Sequence, residues 1–190
     1  ILVAGHAASG LDEDAYASSM VAAMSISMIY NKPVILYLNT IGTASPKKFI
    51  ESKARMNAIT ANLLANLIDF TRKTPGLKNL RIVTEGVKPD TTKKDPISRF
   101  RSFEEGLRNI TAINTGEPAL GQDERIKLIV SCDTSQSTRL IGIRDLERYT
   151  SKLGIEILYF DHHEPSFFLD IPSEEDALEY IEKAFVVPNS

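Results

Sequence analysis

The sequence has little of several features that would mark a specialised protein. Only one of its 190 residues, Cys132, is a cysteine, which excludes a disulfide framework and favours a reducing compartment such as the cytoplasm. Its longest apolar stretches are the length of a strand, so no segment is expected to span a bilayer. The 22 Lys and Arg residues nearly balance the 25 Asp and Glu residues. This balance excludes a strong bulk attraction to nucleic acid, and a long basic groove is not expected.

What is present is the composition of an ordinary globular domain, with 43% hydrophobic and 25% charged residues. The sequence shows no signal peptide, internal repeat or low-complexity stretch. Its first residues, ILVAG, already read as a buried strand and include no Met. We therefore expect the chain to be a fragment of a longer protein.

Short apolar runs alternate with helical patterns along most of the chain. The runs predict strands at residues 1–5, 34–38, 80–83, 126–131 and 155–160. The helical patterns lie at residues 15–30, 45–75, 103–113, 137–152 and 173–185. Such alternation predicts an α/β fold, with a mostly parallel sheet that has helices on both faces. Residues 85–125 are rich in turn signals and are predicted to form a loop-rich insertion.

Three of the predicted strands end in polar or ionisable residues. These strand ends are Gly5-His6, Cys132-Asp133 and Asp161-His162-His163, and they include all three histidines of the chain. Because ligands of open α/β sheets bind at the carboxyl ends of the strands, we expect these residues to lie at one edge of the sheet.

Histidine and carboxylate side chains at one edge indicate a metal site. Asp12 and Asp14 follow the first strand, so imidazole and carboxylate donors are both available, a mixture suited to divalent ions such as Mn²⁺. With five or more ligands, two ions about 3.5–4 Å apart are favoured over one, with Asp133 as the bridging ligand. Taken singly, each residue has a simpler interpretation. A histidine at a strand end is more often a hydrogen-bonded structural residue, and Asp14 would serve as a helix N-cap.

The arrangement resembles the DHH phosphoesterase superfamily. Asp161-His162-His163 after an apolar strand is similar to the motif that gives the superfamily its name. Gly5-His6 followed by Asp12-Glu13-Asp14-Ala15 is similar to its first motif, and Asp133 in Ile-Val-Ser-Cys-Asp-Thr to its second. The resemblance covers most of the chain outside residues 85–125.

The resemblance implies a role for each of these residues. It implies that His6, Asp12, Asp14 and His162 bind metal, with Asp133 bridging two Mn²⁺ ions, or Mg²⁺ or Co²⁺ in their place. His163 would approach the substrate phosphoryl group or its leaving oxygen, and Asp161 would orient a ligand. The whole chain, residues 1–190, would then be a DHH-type metal-binding domain that lacks the C-terminal substrate-binding lobe of the family.

Two features differ from the family pattern. The spacing from His6 to Asp12 is longer than the usual spacing of the first motif, and nothing after His163 resembles the metal-binding Asp of the fourth motif. These differences leave three functions open. The first is manganese-dependent hydrolysis of a phosphodiester in a short nucleotide or oligonucleotide. The second is an inorganic pyrophosphatase or exopolyphosphatase, and the third is a catalytically silent scaffold. The sequence does not indicate an oligomeric state.

Overall fold

A computed structural model describes residues 1–5, 13–38, 62, 65–134, 140–161 and 184–186, with the backbone alone at 13–14, 161 and 184–186. Its centre is a six-stranded sheet in which every neighbouring pair of strands is parallel. The strands are β1 (Leu2–Gly5), β2 (Val34–Tyr37), β3 (Leu80–Val83), β4 (Leu128–Cys132), β5 (Glu156–Asp161) and β6 (Ala184–Val186). They lie in the order β3-β2-β1-β4-β5-β6.

Helices connect the strands and cover both faces of this sheet. They are α1 (Glu13–Tyr30), α2 (helical residues 65–73) and α3 (Pro96–Asn109), with a short 3₁₀ helix at Pro75–Leu77. Between β4 and β5 the described chain has a 3₁₀ turn, Leu146–Tyr149, and a single α-helical turn, Thr150–Leu153. The predicted α/β fold with a parallel sheet and helices on both faces is confirmed.

Alternate residues of β1, β2, β3 and β4 supply two separate cores, and β5 contributes Ile157 and Tyr159 to one of them. On one face, Leu2 and Tyr37 pack with Phe103 of α3 and with apolar residues from 140–153. On the other face, Val3 packs with α1 and with Leu67 of α2. Each core lies between the sheet and a layer of helices, which is why the strands read as continuous apolar runs in the sequence.

Three predicted helices differ from the structure. The helix predicted at 103–113 spans Pro96–Asn109, because Asp95 accepts a hydrogen bond from the Ser98 N–H at 2.8 Å and caps the helix one residue before Pro96. The helix predicted at 137–152 is interrupted, since Gly142 and Asp145 have φ angles of 74° and 55°. The helix predicted at 173–185 overlaps β6 at Ala184, and residues 173–183 lie outside the described chain.

The outer edge of β3 is closed by the turn that follows α3. The Asn114 side chain accepts a hydrogen bond from the Ile82 N–H at 2.9 Å and donates one to the Leu80 carbonyl at 2.7 Å. The Ile113 N–H donates to the Ile82 carbonyl at 2.9 Å. Within the described residues β3 has no strand on this side, and these bonds satisfy groups that a neighbouring strand would pair.

None of the helices in the described part of the chain is long and apolar enough to cross a membrane.

Candidate functional site

The carboxyl ends of β1, β4 and β5 lie side by side at one edge of the sheet. Gly5 is paired with Cys132, and Cys132 with Phe160, so the three strands end in register. Adjacent strands are about 4.8 Å apart, which places the three strand ends within about 10 Å of one another. On one side of the boundary between β1 and β4, β1, β2 and β3 follow one another outward, and on the other side β4, β5 and β6 follow one another in the opposite direction. The β1–β4 boundary is therefore a topological switch point, where open α/β sheets form their ligand crevice.

Asp133 stands at this boundary in an unusual backbone conformation. Its φ angle is 61°, in the left-handed region that L residues rarely adopt, and the residue is 5% exposed. Its N–H donates a hydrogen bond of 2.7 Å to the carbonyl of Phe160 in β5. Asp is one of the few side chains that tolerate this conformation, and such outliers cluster at functional sites.

A second hydrogen bond closes the turn around Asp133. The hydroxyl of Ser131, which is fully buried in β4, donates to the carbonyl oxygen of Thr134. Asp133 is therefore tied to β5 through its own N–H and enclosed by the Ser131–Thr134 bond. Both bonds fix the backbone from which the carboxylate projects.

The first turns of α1 pack closely against the carboxyl end of β1. A Cβ atom at Gly5 would lie 2.5 Å from the Ala15 carbonyl oxygen and 2.5 Å from the Ser19 Oγ atom. The Ser19 hydroxyl is itself buried and donates to that carbonyl. Glycine at position 5 thus allows the first turn of α1, which includes Asp14, to begin beside the strand end.

The thiol beside Asp133 is not suited to nucleophilic chemistry. Cys132 is 1% exposed, and burial raises the pKa of its thiol to about 11, although the neighbouring Ser19 and Ser18 side chains act to lower it. The negative charge of Asp133 raises this pKa further. A thiol that stays protonated at neutral pH is a packing residue.

The structure describes part of the predicted site. It includes Asp133 with its side chain, Asp14 in the first turn of α1 and Asp161 at the end of β5, the last two as backbone only. The remaining four predicted residues, His6, Asp12, His162 and His163, lie outside the described residues. Among the residues that are described, no group of three or more His, Cys, Asp or Glu side chains is placed to hold a metal ion.

Sequence reasoning missed the contribution of Ser131 and the close approach at Gly5. The signal for Ser131 was weak but present, because a hydroxyl in the apolar run Leu-Ile-Val-Ser-Cys needs a hydrogen-bond partner when it is buried. Nothing in the sequence indicated that Gly5 would contact the backbone of α1.

No family model, curated protein or solved structure matches this chain.

Proposed function

We propose that this chain is a manganese-dependent phosphohydrolase of the DHH phosphoesterase superfamily, acting on a phosphodiester in a short nucleotide or oligonucleotide. The observation that supports it best is the buried, left-handed Asp133 at the switch point. It lies between the two strand ends that lead into the histidine motifs, Gly5-His6 and Asp161-His162-His163.

The donor chemistry at this edge fits a hard divalent cation. Asp133 offers a carboxylate on a backbone fixed by two hydrogen bonds, and buried carboxylates in proteins are paired with cations or coordinate metals. In the proposal Asp133 would be shared by the two Mn²⁺ ions, and His6, Asp12, Asp14 and His162 would complete the ligand set. When bound, paired divalent ions lower the pKa of water and neutralise phosphoryl oxygens.

The residues of the chain then have separate tasks. Asp161 orients a neighbouring ligand, and His163 donates a hydrogen bond or proton at the leaving oxygen of the substrate. Cys132 keeps its proton and adds no negative charge next to Asp133. We assign the reaction to the cytoplasm, which agrees with a single, buried cysteine.

A calorimetric titration with Mn²⁺ tests this proposal. We expect one or two ions to bind the wild-type chain, and Asp133→Asn to weaken binding by about 100-fold because it removes a ligand charge. Asn also tolerates the left-handed conformation, so this change alters the ligand and preserves the turn. Asp145→Asn is the matched control, since Asp145 is also left-handed (φ 55°) but has a half-exposed side chain outside the turn.

Product analysis then separates the phosphohydrolase functions. Release of a mononucleotide from a short oligonucleotide supports the phosphodiesterase, whereas orthophosphate from pyrophosphate or polyphosphate supports the alternative phosphoanhydride hydrolase. Hydrolysis that survives Asp133→Asn, or a wild-type chain that binds no Mn²⁺, contradicts the proposal. The absence of both binding and turnover favours a scaffold with this fold.

A further inference from the structure

We infer that Ser131 is a positioning residue, whose hydroxyl holds Asp133 in the conformation needed to bind metal. This inference rests on the proposed function of Asp133 as a metal ligand. Ser131 itself is no ligand in this scheme, because its hydroxyl is fully buried and already donates to the Thr134 carbonyl.

The first step concerns the backbone of Asp133. A residue other than glycine keeps a positive φ angle only where its surroundings determine the conformation strongly. Two hydrogen bonds, one to the neighbouring strand and one across the turn, hold the backbone of Asp133. Its N–H is bound to the Phe160 carbonyl at 2.7 Å, and the Ser131–Thr134 hydrogen bond closes the turn that contains it.

The second step concerns the direction of the carboxylate. In an extended strand, successive side chains point to opposite faces of the sheet, so an extended Asp133 would direct its carboxylate to the face opposite that of Cys132. The left-handed turn at φ 61° ends that alternation immediately after Cys132. Loss of the Ser131 hydroxyl removes one of the bonds that oppose a return to extended backbone.

The third step separates positioning from ordinary stabilisation. Any buried serine that donates to a carbonyl contributes to stability, and Ser27 is such a residue. It is 1% exposed and its hydroxyl donates to the Gly76 carbonyl at 3.4 Å. Ser27 lies in the last turns of α1, far along the helix from its start beside Gly5. A comparison of the two serines therefore isolates the effect of the turn on metal binding.

The experiment is a Mn²⁺ titration of wild type, Ser131→Ala, Ser131→Thr and Ser27→Ala, under conditions where circular dichroism shows each variant folded. We expect Ser131→Ala to weaken Mn²⁺ binding by about tenfold or more, the usual effect of removing a group that orients a ligand. Ser131→Thr, which keeps the hydroxyl, should restore binding to near the wild-type value. Ser27→Ala should bind Mn²⁺ as the wild type does, even if it is less stable.

The outcomes distinguish this inference from the proposed function. If the wild type binds Mn²⁺ and Ser131→Ala binds it within about twofold, or if Ser131→Ala and Ser27→Ala weaken it equally, the inference is wrong and the proposed function stands. If the wild type binds none, both fail. Should Ser131→Ala not fold, Ser131→Cys takes its place. A thiol is similar in size to the hydroxyl but is a weak donor, so this variant should also weaken Mn²⁺ binding.

Discussion

At the scale of single residues, two positions at the sheet edge restrict which amino acid can stand there. Asp133 has a left-handed backbone, which narrows the choice to glycine and small polar side chains. Gly5 has no room for a Cβ atom, because the carbonyl of Ala15 lies in its place. Both restrictions serve the same end, since they fix the strand ends and the start of α1 around the candidate site.

We predict that Gly5→Ala destabilises the protein by about 1–3 kcal/mol, the usual cost of forcing an extra methyl group into a packed site. Chemical denaturation with urea measures this loss. The clash with Ser19 could be relieved by moving a side chain, but the contact with the Ala15 oxygen involves backbone.

Gly76→Ala is the matched control for this prediction. A Cβ atom there would lie 3.4 Å from the nearest atom, the Cγ of Met28, which belongs to a flexible side chain. We therefore expect Gly76→Ala to change the free energy of unfolding only slightly. The backbone explanation is refuted if adding Ser19→Ala to the Gly5→Ala variant restores full stability.

At the scale of the element, the exposed edge of β3 is protected by a side chain that imitates a strand. Edge strands offer unpaired N–H and C=O groups to other chains. Asn114, which is 8% exposed, forms a hydrogen bond with one such N–H group, that of Ile82, and with one such C=O group, that of Leu80. The turn at residues 111–118 that presents it is held by an antiparallel bridge between Thr111 and Pro118.

We predict that Asn114→Ala lowers stability by about 1–3 kcal/mol, because it leaves the N–H of Ile82 and the carbonyl of Leu80 without their amide partner. Urea denaturation measures the loss, and light scattering should show self-association that rises with concentration. Asn79→Ala is the control. Asn79 bonds the side chain of Asn31 at an exposed site, so its loss should change stability by less than about 0.5 kcal/mol. Equal effects of the two variants would argue against edge protection.

The elements also show what the sequence could predict. The central strands were predicted well, because strands buried on both faces appear as short apolar runs. The sequence predicts the start of α3 too late, because Asp95-Pro96 is typical of a loop as well as of a helix start. The break at Gly142 was missed, since an isolated glycine is tolerated in many helices and only its φ angle of 74° reveals the turn.

At the scale of the whole molecule, the order of the strands determines where a ligand can bind. The sequence indicated that the strand ends share an edge, but not that β1 and β4 are neighbours at a switch point. That pairing joins segments far apart in the chain and depends on which apolar faces pack together. The left-handed turn at Asp133 was equally beyond prediction, because its hydrogen bonds to Phe160 and from Ser131 exist only in the folded sheet.

Stability should fall at acidic pH through the partly buried ion pair between Arg81 and Glu124. Partial burial raises the pKa of Glu124, but hydrogen bonds from Arg81 and from the Gly121 N–H outweigh it and leave the pKa below 4.5. A carboxyl with a lowered pKa in the folded state stabilises the protein above about pH 4.5, and this contribution is lost as pH falls further. We predict that Glu124→Gln reduces the change in unfolding free energy between pH 6 and pH 3, as measured by urea denaturation. An unchanged difference would contradict this role.

At alkaline pH, stability should fall as pH rises, because burial raises the pKa values of three side chains. Burial raises the pKa of Tyr16 and Tyr37 to about 12 from 10.0, and that of Cys132 to about 11 from 9.0. Because the unfolded chain loses these protons first, these three groups should leave the free energy of unfolding unchanged below about pH 9 and decrease it between about pH 9 and pH 12.

Tyr16→Phe tests this alkaline limit with little cost at neutral pH. The buried Tyr16 hydroxyl has no hydrogen-bond partner within the described part of the chain, so its removal leaves no other group unsatisfied. We predict that Tyr16→Phe is at least as stable as wild type at pH 7 and loses less stability than wild type by pH 11. Tyr37→Phe serves as the comparison, because the Tyr37 hydroxyl accepts a 2.7 Å hydrogen bond from the Val87 N–H. It should flatten the alkaline decrease in the same way but lower stability at pH 7. If Tyr16→Phe also lowered stability at pH 7, the expectation that this hydroxyl adds nothing to the stability of the folded state would be wrong.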